Sequence, residues 1–142
     1  MADITVTPKD VLLPNETEVV KIRGVLGAEA APGAPMYLDG ANGWKPADAD
    51  AAASGQARGI LAAVQGSLLG AIGDRCDILC FGRIGGFASM TPGAAVFVSV
   101  TAGRLDQTAP AAGGDFVFAI GWAESASVIF IHPQITVPTA IP

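Results

Sequence analysis

Hydrophobic and polar residues alternate with a period of two along much of this chain, and the 3.6-residue period of an amphipathic helix is almost absent. Residues 18–23, 36–39, 76–81, 95–100, 116–120 and 127–131 form short runs, rich in β-branched or aromatic residues and bounded by turn formers. Each run reads as a strand. The punctuation between them is Pro32-Gly33, Asp39-Gly40, Asn42-Gly43, Pro92-Gly93, Ala102-Gly103 and Gly113-Gly114. Asn42-Gly43 is suited to a tight hairpin, because both residues tolerate positive φ. Alanine-rich residues 46–63 could favour helix, but Gly55 and Gly59 interrupt them. The expectation there is a loop with one or two helical turns at most, then a strand over about 58–63.

An internal repeat organises these elements. Ala31-Pro32-Gly33-Ala34, the run Met36-Tyr37-Leu38-Asp39, Asn42-Gly43-Trp44 and Arg58-Gly59-Ile60 recur in order. The second set is Thr91-Pro92-Gly93-Ala94, Val96-Phe97-Val98-Ser99, Ala102-Gly103-Arg104 and Ile120-Gly121-Trp122. In each copy a Pro-Gly turn launches a strand, a glycine-containing hairpin returns it, and a strand bearing one glycine follows. A glycine inside a strand predicts a bulge or a close backbone approach at Gly59 and Gly121. The same alignment places Tyr37 and Phe97 at equivalent positions, where they are expected to pack into the core. The fold class that follows is all-β, a small barrel or sandwich built from two tandem β-units with extended N- and C-terminal arms.

The ends differ from the middle. Pro8 and Pro14 punctuate the first fifteen residues, and Pro133, Pro138 and Pro142 the last ten. Proline removes a ladder donor and stiffens extended backbone. The division expected is an arm over 1–17, one β domain over 18–133 with units of about 18–75 and 76–133, and a tail over 134–142. Extended arms can add a strand to a neighbour's sheet edge. On this view, removing residues 1–13 leaves the domain folded.

Composition narrows what such a scaffold does. At 142 residues the chain is the size of one ordinary domain. Its formal charge is −5, and its eight Lys and Arg residues are scattered singly, so it lacks the basic stripe that nucleic-acid binding requires. The uncharged stretch 59–73 is shorter than a membrane span and is broken by four glycines. The N-terminus lacks the pattern of an export signal, which predicts a protein made and kept in a cytoplasm, or released by lysis.

Candidate chemistry is sparse. Cys76 and Cys80 lie four apart in a predicted strand, about 13 Å between Cα atoms, out of disulfide reach but on one face. They read as reduced core thiols. His132, the only histidine, follows the last strand beside Pro133, so a Ser-His-Asp relay would rest on it alone. Asp48 and Asp50 could form a carboxylate pair, or bind calcium with Asp39, but their setting is that of a solvated loop and matches no EF-hand. The aromatic residues are few for a carbohydrate-stacking surface. The expectation is a non-enzyme with no catalytic residue, no metal and no cofactor.

The order Gly82-Arg83-Ile84-Gly85-Gly86-Phe87, Met90-Thr91-Pro92-Gly93-Ala94, Val96-Phe97-Val98-Ser99, Ala102-Gly103-Arg104-Leu105 and Ile120-Gly121-Trp122-Ala123 resembles a β-unit of small phage structural proteins. With its first copy it resembles the capsid decoration, or cement, proteins of tailed bacteriophages, over about residues 18–133. The resemblance implies a homotrimer on the outer capsid surface of the virion. It would grip the major capsid protein lattice without nucleic acid, membrane or cofactor. By the same resemblance, Ala2, Asp3, Ile4, Thr5, Val6, Thr7, Pro8, Val11, Leu12 and Leu13 are the expected capsid contacts. Gln134, Ile135, Thr136 and Val137 are expected to reach a neighbouring subunit or the capsid. Similar units occur in baseplate, tail and head-fibre proteins, and a carbohydrate-binding β-module is a further alternative.

Overall fold

The computed structural model describes residues 3–40, 43–65, 68–134 and 139–142. In chain order the elements are β1 (Thr5–Val6), 3-10 turns at Pro8–Asp10 and Glu16–Glu18, β2 (Val20–Val25), β3 (Pro35–Asp39), β4 (Gly43–Pro46) and the helical turn α1 (Ala52–Gly55). There follow β5 (Gly59–Val64), β6 (Arg75–Gly85), β7 (Phe87–Ala88), β8 (Ala95–Val98), β9 (Leu105–Asp106), β10 (Phe116–Val117), β11 (Ala119–Ala123), β12 (Val128–Ile131) and β13 (Thr139–Ala140). The all-β expectation holds, as does the short helical turn ahead of a strand within residues 46–63. The hairpin between β3 and β4 forms with Asp39 opposite Gly43, whose φ is +88°. Asn42 lies outside the described residues.

The expected strands 18–23 and 95–100 shift to Val20–Val25 and Ala95–Val98, and two others differ more. β6 does not stop at Phe81 but runs on to Gly85, through Gly82 at φ +123°. A Cβ on Gly82 would sit 2.6 Å from the Val19 side chain, so only glycine lets the strand continue beside that chain crossing. The expected strand 116–120 divides at Phe118, which is fully buried. Before it, β10 pairs with β13; after it, β11 pairs with β8 and β12. Alternation alone could not reveal that the chain changes partners there.

The main sheet is a palindrome of two units. Its order is β4-β3-β5-β6-β12-β11-β8-β9, with β2 also pairing to β6. Each half is therefore a hairpin (β3 with β4, β8 with β9) whose first strand also pairs with a third (β5, β11), which pairs with a fourth (β6, β12). The matching turns are bonded alike. Ala34 N–H donates to Ala31 O across Pro32-Gly33 and Ala94 N–H to Thr91 O across Pro92-Gly93, at 3.2 and 3.3 Å. Positive φ at Gly33 (+97°) and Gly93 (+84°) completes a type II pattern in both. Gly33 N–H then donates to Leu61 O at 2.8 Å and Gly93 N–H to Ala123 O at 2.7 Å. Leu61 N–H and Ala123 N–H return the bond to Ala34 O and Ala94 O. β6 belongs to both units: its first half pairs with β2 and β5, and its second half pairs with β12.

Gly59 and Gly121 share one role. A Cβ on Gly59 would lie 2.2 Å from Leu79 O, and one on Gly121 would lie 2.1 Å from Phe130 O. Each lets its strand press onto the next, and the ladder beside Gly121 is bulged. That close approach curls the sheet.

Curling divides the interior. The larger core gathers Ile60, Leu79, Ile84, Val96, Phe118 and Ile129 among others, and the smaller gathers Leu26, Met36, Trp44, Leu61, Cys76 and Ile78. Alternate residues of β5 and β6 thus point to different cores: Ile60 and Leu79 to one, Leu61 and Ile78 to the other. Tyr37 and Phe97 are half-buried, while their neighbours Met36 and Val96 are the fully buried pair. The expected core role thus belongs mainly to the adjacent positions, although Tyr37 does pack against the larger core.

Candidate assembly surface

The N-terminal residues expected to be free for a neighbour lie down on their own domain as a strap. Ile4 is 8% exposed within the larger core and its N–H donates to Leu105 O at 2.7 Å. β1 pairs antiparallel with β7, Thr5 opposite Ala88 and Val6 opposite Phe87. Thr7 N–H donates to Gly86 O, and Leu12 exchanges two bonds with Gly85. Asp3 accepts the hydroxyl hydrogen bond of Ser99, a buried polar residue whose Oγ also accepts from Thr101 N–H. Two glycines make room: a Cβ on Gly33 would lie 2.5 Å from Val6, and one on Gly86 would lie 2.8 Å from the Val11 backbone. Ile4, Val6, Val11 and Leu13 are therefore occupied by the core, which corrects the view that residues 1–13 can be removed without cost. Thr5 and Leu12 remain exposed, Thr7 and Pro8 are half-buried, and Ala2 lies outside the described residues.

The tail also returns to its own domain. Gln134 N–H donates to Ala119 O, and its side-chain carbonyl accepts from Ala119 N–H at 2.9 Å. Ile135, Thr136 and Val137 lie outside the described residues. Beyond them β13 pairs with β10, and Ile141 N–H donates to Asp115 O.

Among the apolar surfaces that the scaffold leaves uncovered is an aromatic strip on the outer face of β6, β12 and β11. Ile129 and Ile131 point inward and are fully buried, so Phe130 between them points out. Phe130 stacks on Trp122 at 5.7 Å between ring centroids and meets Phe81 edge-on at 5.1 Å. His132 packs edge-on against Phe81 at 5.5 Å. Phe81 and Trp122 remain 40% and 45% exposed. Arg83, on the same strand as Phe81, pairs with Glu124 at 2.8 Å. Beside the strip, Trp122, His132, Pro133 and Gln134 border a groove of about 410 Å³. Sequence reasoning missed this strip because it counted aromatic residues without assigning faces; the alternation through 129–131 held the signal.

The remaining candidates stay apart. His132 meets Phe81 rather than a nucleophile and an acid. Asp48 accepts the N–H of Asp50 at 2.9 Å in the loop before α1, and burial, the largest influence, pushes its carboxyl pKa up. Asp39 instead pairs with Lys45 across the hairpin at 2.9 Å. Among the described residues no cluster of three metal-ligating side chains occurs, and no helix is long and apolar enough to cross a membrane. Cys76 and Cys80 are free thiols on the smaller-core side of β6, and burial raises the pKa of both.

No protein-family model matches the chain, and neither a curated protein nor a solved structure matches it.

Proposed function

We propose that this protein is a phage capsid decoration protein that binds the outer surface of the assembled head and stabilises the major capsid protein lattice, working as a homotrimer and not as an enzyme. The observation that carries the reading is the pairing of a tightly bonded two-unit β scaffold with an uncovered aromatic strip formed by Phe81, Trp122 and Phe130. Apolar surface left open on a rigid sheet suits a partner of fixed shape. The unit that carries the resemblance supplies Trp122 to the strip. A decoration protein stabilises by mass action, since it binds the assembled shell in preference to free subunits, and contacts repeated around a trimer add as avidity. With much of the strap occupied at home, contact falls to its exposed residues Thr5 and Leu12 and to the strip.

The test is to mix the purified chain with expanded, undecorated capsids. Saturable binding and a raised disruption temperature of the shell are expected, with Trp122→Ala weakening both. Failure to bind shells, with binding to tail tubes or baseplates instead, would reassign the protein to another phage structural module. The groove beside Trp122 favours a second reading, a carbohydrate-binding β-module, because an exposed indole beside His132 and Gln134 is a stacking platform flanked by polar groups. Retention on immobilised glycans, lost in Trp122→Ala, would support that reading.

A further inference from the structure

The two units close the same hairpin differently. In the second, β11 turns into β12 through Glu124-Ser125-Ala126-Ser127, where Ser125 Oγ accepts from Ser127 N–H at 3.2 Å and from Val128 N–H at 3.1 Å. In the first, β5 reaches β6 through the longer stretch 65–74, and residues 66–73 within it carry no charge. Closing the hairpin does not require the added residues. Their described part is firmly held: Gly70 exchanges two backbone bonds with Ala30 at 2.8 and 3.1 Å, Gly73 N–H donates to Leu26 O at 2.9 Å, and Ala71 N–H donates to the Asp74 carboxylate at 2.8 Å. A Cβ on Gly70 would lie 2.4 Å from the Leu26 side chain, so the loop is pressed onto the smaller core. Even so, Leu68, Leu69 and Ile72 are 56%, 50% and 75% exposed, and no other large hydrophobic residue among those described is as exposed as Ile72. Apolar side chains on a backbone already held in place mark a contact surface and lose little freedom on docking. A groove of about 440 Å³ adjoins the loop, lined by Val6, Pro32, Pro46, Ala102 and by Leu69 of the loop itself. Its charged lining residues, Glu29 and Arg104, are opposite in sign.

We propose that loop 68–73 of one copy of the chain enters this groove on the next copy, and that three such contacts close the homotrimer. The inference rests on the trimeric part of the reading above and supplies its interface. Charge names the occupant. The loop is apolar and uncharged, and the groove is mainly apolar with charges that cancel, so the two halves match in chemistry. Copies of a chain of net charge −5 repel one another, and they meet at least cost where neither surface carries net charge. A loop on one copy in a groove on another is a heterologous contact, the kind that closes into a ring. Leu69 belongs to both halves, so loop and groove lie side by side, an arrangement that lets three copies gather round one axis. Phe81, Trp122 and Phe130 line neither half, which leaves the aromatic strip to the shell.

The experiment is sedimentation of the full-length chain over a concentration series, beside Ile72→Asp and Ala102→Asp. Both positions are exposed, so the fold is expected to survive each change, and far-UV circular dichroism checks it. The wild-type chain is expected to sediment as a trimer. Each variant puts an unpaired carboxylate into the contact, one from the loop and one from the groove, and association is expected to weaken by about thirtyfold or more. Amide hydrogen exchange across 68–73 and 102–104 is expected to be slower in the wild-type trimer than in the variants. A trimer that persists in either variant, or exchange that differs elsewhere instead, would overturn this interface and leave the capsid reading standing. A wild-type chain that stays a monomer or forms a dimer would overturn the interface and the homotrimer together. Dissociation by both variants, in a wild-type trimer that ignores capsids, would uphold the interface and sink the capsid reading.

Discussion

Replacing Gly121 by alanine tests the physical basis of the repeat. The Cβ added there would lie 2.1 Å from Phe130 O and 3.0 Å from Phe130 C, both backbone atoms that no rotamer change can move. Reaching an ordinary 3.4 Å contact means separating β11 from β12 by more than 1 Å at the pairs Gly121–Ile131 and Trp122–Phe130. Overpacking of this kind costs about 1–3 kcal/mol, and weakening one ladder hydrogen bond adds about 1 kcal/mol, so a loss of about 3 kcal/mol is expected. For a domain of this size that lowers Tm by about 10 °C. Gly59→Ala should cost a similar amount, because its Cβ meets Leu79 O at 2.2 Å in the matching place. Gly40→Ala is the control: nothing lies within 4 Å of its Cβ, and a change under about 0.5 kcal/mol is expected. Urea titration and thermal melts of the three variants measure these differences. If Gly121→Ala and Gly59→Ala melt with the control, close backbone approach is not what curls this sheet, and the argument from the repeat fails.

Ile4→Ala should destabilise by about 3 kcal/mol, as for a buried isoleucine, while Thr5→Ala beside it should cost under about 0.5 kcal/mol; equal small losses would mean that the strap is not part of the folded core. Asp48 has a raised carboxyl pKa, so its native environment favours the protonated form, and its contribution is present below the ordinary value of 3.8 and lost as pH rises through the raised native value. Asp48→Asn is therefore expected to stabilise the protein slightly at neutral pH, with the gain vanishing on acidification; stability that tracks wild type at every pH would contradict it. Burial raises both thiol pKa values, so alkylation at neutral pH should be slow for half-buried Cys80, slower for buried Cys76, and fast for both in urea; mass spectrometry reads the order.

Much of this architecture is written locally. The short apolar runs at 95–98 and 128–131 depend only on neighbouring side chains and specified strands, but not which face turns inward: Phe97, expected in the core, is half-buried, while Val96 beside it is fully buried. Pro32-Gly33 and Pro92-Gly93 carry their turn geometry in their own backbone preferences, and the paired glycines at 59 and 121 marked the two close approaches before any partner strand was known. What tertiary structure alone decided was which surfaces remained. Nothing within residues 3–13 announces that Ile4 would find an opening in the larger core, since that opening is lined by strands distant in sequence. Residues 116–123 read as one apolar run, yet the chain leaves one sheet for another at Phe118, because pairing is a choice among edges and not a property of the segment. The aromatic strip likewise joins residues from β6, β11 and β12, whose faces align only once the register between strands is fixed. Local sequence sets which residues can turn, extend or point inward, and long-range pairing sets which of them end up side by side.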